Sequence, residues 1–117
     1  MTVQTYKDLI AWQKSMELVT EIYTLTTLLP RDEIYGLSSQ MKRAAVSIPS
    51  NIAEGFRRNH KLEQIQFYAI AYGSGAELET QTEICKKLGF LTSDQLQKAA
   101  SLLDEVMRML NKLSNLN

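Results

Sequence analysis

Apolar residues recur at helical spacing through nearly the whole chain, and nowhere do they alternate as a strand would require. Four segments follow, with short breaks between them. The first is predicted over about residues 6–29. Thr5 precedes it as a cap, with Asp8 placed to reach back to the Thr5 backbone N–H. Leu9, Trp12, Met16, Val19 and Tyr23 form one stripe, and Leu18, Ile22, Leu25 and Leu29 form an adjacent one. Together they cover more of the helix than a surface helix needs. Pro30 ends the segment.

The second segment is predicted over about 33–58, its acidic start suiting the positive end of a helix. Leu37, Met41, Ala44, Ala45, Ile48, Ile52 and Phe56 share a face. Pro49 interrupts it and cannot donate to the Ala45 carbonyl. The apolar phase runs on from Ile48 to Ile52 and Phe56, which predicts one kinked helix and not two. The third segment spans about 60–88, with Gly89 in the stop position. Ile65, Tyr68, Ala69, Tyr72 and Ala76 line one side of it, and Phe67, Ile70, Ala71, Ser74 and Leu78 the other. A helix apolar on both sides is expected to be buried on both sides. The fourth segment, about 93–113, opens with a Thr92/Gln95 capping box and carries Leu96, Ala99, Ala100, Leu103, Met107 and Leu110. Leu102, Val106, Met109 and Leu113 widen its stripe, and the closing residues 114–117 are expected to fray.

Four such helices with short connections predict an all-α fold. It is a single antiparallel up-down-up-down four-helix bundle over residues 1–117, with helices roughly 33–45 Å long. The wide apolar faces of the first and third helices predict a homo-oligomer in which the second faces meet neighbouring copies, the alternative being that they meet one another inside a single bundle.

Composition narrows the chemistry. Among 117 residues there are 13 Lys+Arg and 13 Asp+Glu, so the chain is formally neutral and lacks the simplest mark of a nucleic-acid binder. The opening stretch has no basic, then apolar, leader pattern, and no apolar run is long enough for a membrane helix. A cytoplasmic location without membrane contact is the expectation. With one Cys and one His, no disulfide forms within the chain and no Cys/His metal cluster assembles. A carboxylate-bridged metal bundle needs Glu-x-x-His pairs, but Arg57 stands three residues before His60. Cys85 and His60 lie roughly 35 Å apart on one helix, too far for a nucleophilic pair. Gly73-Ser74-Gly75 sits inside a helical pattern and lacks the strand and the Lys-Ser/Thr of a phosphate loop. The expectation is therefore a protein that is not an enzyme, with no cofactor and no metal.

One polar ridge stands out. Arg43, Ser47, Ser50, Glu54 and Arg57 recur on one face of the second helix. Residues 31–61 hold six Lys/Arg against three Asp/Glu, so this region is locally basic. Lys42, Arg43, Arg57, Arg58 and Lys61 are the candidate phosphate contacts. A solvated face and a polar subunit interface are the competing readings of the same ridge.

The stretch from Tyr35 to Arg58, YGLSSQMKRAAVSIPSNIAEGFRR, is followed by FYAIAYGSGAELETQ from Phe67 to Gln81 and LGFL from Leu88 to Leu91. With LIAWQKSMELVTEIY from Leu9 to Tyr23, it resembles the 23S rRNA intervening-sequence protein family. Its members are also called four-helix bundle proteins or so-called S23 ribosomal proteins. The resemblance implies a bacterial antiparallel bundle assembled as a ring-like homopentamer, without established catalytic activity. A related branch, the accessory variability proteins of diversity-generating retroelements, partners a reverse transcriptase and binds nucleic acid. The implied partners are thus other copies of the chain, and RNA or a nucleic-acid-processing protein; a protein-interaction scaffold is the alternative. At the matching positions, Pro49 would set a kink, and Gly73, Ser74 and Ala76 would let neighbouring helices approach. Arg43, Asn51, Glu54 and Glu79 would be polar groups at helix contacts, with Arg43 paired to Glu54 or Glu79.

Overall fold

The structure is a computed structural model that describes residues 2–114. Of the tail expected to fray, only Ser114 lies within the described residues. Four helices form: α1 (Ile10–Thr26), α2 (Leu37–Arg57), α3 (Lys61–Lys87) and α4 (Ser93–Leu113). Each packs on the next, and α1 also packs on α4, which closes the bundle. The body measures 43 × 25 × 22 Å.

Helix ends follow local hydrogen-bond chemistry, and two differ from the sequence expectation. Thr5 and Asp8 do form a capping box, but it closes a 3₁₀ turn over Tyr6–Asp8 and not the long helix. The Asp8 carboxylate accepts from the N–H groups of Gln4 (2.9 Å) and Thr5 (3.1 Å), which hold its pKa below the ordinary 3.8. Leu9 is then extended, so α1 starts only at Ile10. At the other end the backbone tightens to i→i+3 bonds through Leu29, ahead of Pro30. The second start also moves. Glu33 lies in a 3₁₀ turn, Arg31–Glu33, and its Oε1 accepts from the Leu37 N–H at 3.1 Å. Glu33 caps α2 from outside, where the sequence reading placed it inside the first turn.

The remaining ends are as expected. α2 runs unbroken through Pro49, with Ile48 and Ile52 fully buried on either side. Burying that apolar face outweighs the lost Ala45 hydrogen bond. Gly89 takes φ +76°, so Phe90 N–H reaches Cys85 O (2.9 Å) and Gly89 N–H reaches Lys86 O (3.1 Å), closing α3. Thr92 and Gln95 form the capping box of α4.

The core is built from Leu18 and Ile22 of α1, Met41, Ile48 and Ile52 of α2, Leu78 of α3, and Val106 and Leu110 of α4. On α1 the Leu18–Leu29 stripe is the buried one, whereas Met16 and Tyr23 of the other stripe are exposed. On α3 the buried line is Tyr68, Ala71, Gly75, Leu78, Gln81 and Cys85, drawn from between the two expected faces. Those faces are therefore not both buried within the chain.

Two glycines set the helix separations. A Cβ on Gly55 would lie 2.8 Å from Tyr68 Cε1 and 3.1 Å from Phe67 Cβ, and one on Gly75 would collide with Met107 Sδ. Tyr68 is buried and its ring is stiff, whereas Met107 is flexible and only half-buried. Gly55→Ala is therefore expected to lower stability by about 1–3 kcal/mol. Gly75→Ala is expected to cost less, since Met107 swings aside. Urea denaturation midpoints of the two variants check this order.

Candidate functional site

The polar ridge of α2 meets α3 along a seam on the outside of the bundle. Asn51 Nδ2 donates to Ser47 O (2.8 Å) and Ser47 Oγ (2.9 Å). Ser74 Oγ donates to the same Ser47 Oγ at 2.9 Å, tying α3 to α2. All three side chains are half-buried, so the hydroxyls and the amide satisfy one another where water reaches poorly. Ser74 thus bridges α3 to α2, while the Asn51 bonds stay within α2.

Of the pairings the sequence allows Glu54, the one to Arg58 one turn on forms and the one to Arg43 does not. Glu54 Oε2 binds Arg58 Nη2 at 2.9 Å, one turn on, and both are exposed. Arg43 lies about three turns from Glu54 along α2, beyond reach. Arg43 and Glu79 are exposed and neither joins an ion pair among the described residues. The Arg43 pairing with Glu54 or Glu79 does not exist within the chain.

The five candidate cations separate into two groups. Lys42 and Arg43 lie in the first half of α2, and Lys42 Nζ sits 5.1 Å from the Tyr23 ring centroid. Arg57, Arg58 and Lys61 lie at the α2–α3 connection, about 21 Å farther along the helix. There Arg57 stands 5.5 Å from the Tyr6 ring and Arg58 4.7 Å from the Phe67 ring. Aromatic faces hold both guanidinium groups in place while leaving their edges to solvent.

The outer face of α3 is open. From Gln64 to Ala76 the helix carries no charged residue, yet only Tyr68, Ala71 and Gly75 of that stretch are buried. Ile70 is 51% exposed, and Tyr72 is 37% exposed. A Cβ on Gly73 would meet no atom within 4 Å, and Ala76 is exposed. Gly73 and Ala76 therefore do not mediate helix approach inside the chain; Gly55 and Gly75 do. Gly55 was missed because it closes the α2 motif like an ordinary helix-end glycine. Two glycines inside α3 cost helix propensity, which makes sense where another helix approaches, and this holds at Gly75, in period with Ala71 and Leu78, and not at Gly73. Gln81 was missed too. It is 4% exposed, its Nε2 donates to Glu77 Oε2 at 3.2 Å, and its Oε1 has no partner.

Little in this arrangement supports bond chemistry. His60 is exposed at the start of α3. Cys85 is fully buried with Sγ 3.6 Å from Met41 Sδ, and burial, then the Glu33 charge, pushes its thiol pKa up. Among the described residues no group of three or more His, Cys, Asp or Glu gathers to hold a metal ion. Among the described residues no helix is long and apolar enough to cross a membrane. Thiol titration with an aromatic disulfide is expected to detect Cys85 only after denaturant opens the bundle; reaction in the native protein would contradict the buried, protonated thiol.

Comparisons with known proteins bear on this surface. A family model described as 23S rRNA-intervening sequence protein matches residues 7–112. No curated protein sequence matches the chain. Among solved structures, a 1.70 Å crystal structure superposes with a TM-score of 0.83. It is a protein with unknown function from the S23 ribosomal protein family of Bacteroides thetaiotaomicron VPI-5482. The alignment covers 91% of this chain and 99% of that one at 22% identity, a likeness of fold.

Proposed function

The chain belongs to the 23S rRNA-intervening sequence protein family, and from that premise we propose a non-enzymatic, homo-oligomeric bundle that binds RNA. The observation that carries this reading is the outer face of the α2–α3 hairpin, where an uncharged apolar surface adjoins a cationic corner. The apolar part, with Ile70, Tyr72, Gly73 and Ala76, is what a second copy would cover, and a ring of five copies is the assembly proposed. In such a ring Arg43 and Glu79 would find partners on neighbouring copies. The cationic part, Arg57, Arg58 and Lys61, repeated around the ring, would meet phosphates, with Lys42 and Arg43 as a second, separate contact. Localisation in the cytoplasm belongs to the same proposal.

The assembly is tested by light scattering. Wild-type protein is expected near five times the 13.3 kDa chain mass, and Ile70→Glu is expected to drop that mass while circular dichroism stays helical. Arg43→Ala is expected to lower the melting temperature or the mass; no change in either removes Arg43 from the interface.

RNA binding is tested by titration of structured RNA at 50 and 200 mM salt. Three phosphate contacts per copy predict weakening of roughly 20–40-fold between them. The Arg57→Glu/Arg58→Glu variant is expected to lose binding altogether. Absence of binding at the lower salt refutes the RNA reading, and a defined protein co-purifying without RNA would favour the scaffold.

A further inference from the structure

At the corner where the chain leaves α1 and enters α2 there is a cavity of about 290 Å³. Thr26 and Thr27 of the α1 end, Arg31 of the connecting turn, and Ser38 and Lys42 of α2 line it. Its charged lining residues are both cations, and no carboxylate lines it. The nearest acidic residues in sequence are Asp32 and Glu33, and Glu33 is already engaged with the Leu37 N–H. Neither Arg31 nor Lys42 has an ion-pair partner among the described residues.

Ser38 is the decisive residue. It is 6% exposed, lines the cavity, and its hydroxyl makes no hydrogen bond among the described residues. Most of the residue is covered, yet its unpartnered oxygen stays open to whatever enters the cavity, water or a ligand. The Thr26 and Thr27 hydroxyls, by contrast, already donate to the carbonyls of Tyr23 (2.9 Å) and Thr24 (2.6 Å). Ser38 also stands in the first turn of α2, a 21-residue helix whose Ser38 and Ser39 N–H groups carry no partner among the described residues. A free hydroxyl and two cations without ion partners therefore meet at one concave place beside the start of α2.

We propose that this corner is a binding site for a phosphate group. Arg31 and Lys42 supply the opposing charge, and the Ser38 hydroxyl donates from the cavity wall. The site lies about 22 Å along α2 from Arg57, so it stands apart from the α2–α3 corner and does not depend on RNA binding there. The phosphate group has two sources, free inorganic phosphate or the phosphomonoester of a nucleotide.

Calorimetric titration of the full chain, in phosphate-free buffer at chloride-matched ionic strength, separates them. Inorganic phosphate and a nucleoside 5′-monophosphate are titrated in parallel. Saturable binding is expected with at least one. Tighter binding of the monophosphate assigns the site to a phosphomonoester, and equal or tighter binding of inorganic phosphate assigns it to the free ion. Arg31→Gln and Lys42→Gln are each expected to weaken binding about tenfold, as loss of a charged hydrogen bond does. Ser38→Ala is expected to weaken it severalfold, and Lys98→Gln, at an exposed position of α4 away from the cavity, to leave it unchanged. Should Ser38→Ala fail to fold, the Arg31 and Lys42 variants, both surface changes, carry the test. Absence of saturable binding by either probe, or binding that survives the Arg31→Gln/Lys42→Gln double variant, overturns the proposal.

Discussion

The Tyr68 ring packs into the space left by the missing side chain of Gly55, and the α2–α3 hairpin takes its separation from that contact. Because the two backbones lie that close, the seam hydroxyls of Ser47 and Ser74 come within hydrogen-bond distance of each other. The same approach turns Ala71, Leu78 and Cys85 inward against Met41 and Ile48. What is left on the outside of α3 is an uncharged strip from Gln64 to Ala76 that this chain cannot cover by itself. The core, the seam and the open face are three consequences of one helix spacing.

Charge is arranged around that frame in pairs and singles. The ion pairs among the described residues, Lys14–Glu105, Glu54–Arg58, Glu83–Lys86 and Asp104–Arg108, have solvent-accessible side chains, so each contributes little to stability. Only Lys14–Glu105 joins two helices, α1 and α4. Two of the cations without ion partners lie on aromatic faces instead, Lys42 on Tyr23 and Arg57 on Tyr6. Formal neutrality is thus an average. Two cationic places, the α1–α2 corner and the α2–α3 corner, sit on a chain where Asp8 and Glu33 serve as helix caps and Glu54, Glu83, Asp104 and Glu105 are held in ion pairs.

Where a helix end is decided by residues adjacent in sequence, it was readable beforehand. Thr92 with Gln95, and Gly89 after α3, behave as their types require, because both motifs close over three or four residues. The starts of α1 and α2 were not readable in that way. Asp8 turns back to Gln4 and Thr5 and spends the cap on a 3₁₀ turn, and Glu33 caps α2 from four residues away. An acidic residue near a helix start has the same composition whether it lies inside the first turn or caps it from outside.

The sequence by itself determined the number of helices, their order, the continuity of α2 through Pro49 and the absence of paired Glu-x-x-His ligands, since periodicity and residue type carry all of these. Tertiary structure decided which of two neighbouring apolar stripes faces inward, which glycine admits a partner, and which cations share a surface. Periodicity gives the width of an apolar face but not its rotation about the helix axis. That rotation depends on where two backbones meet, and Gly55 against Tyr68 and Gly75 against Met107 settle it only once the bundle is closed.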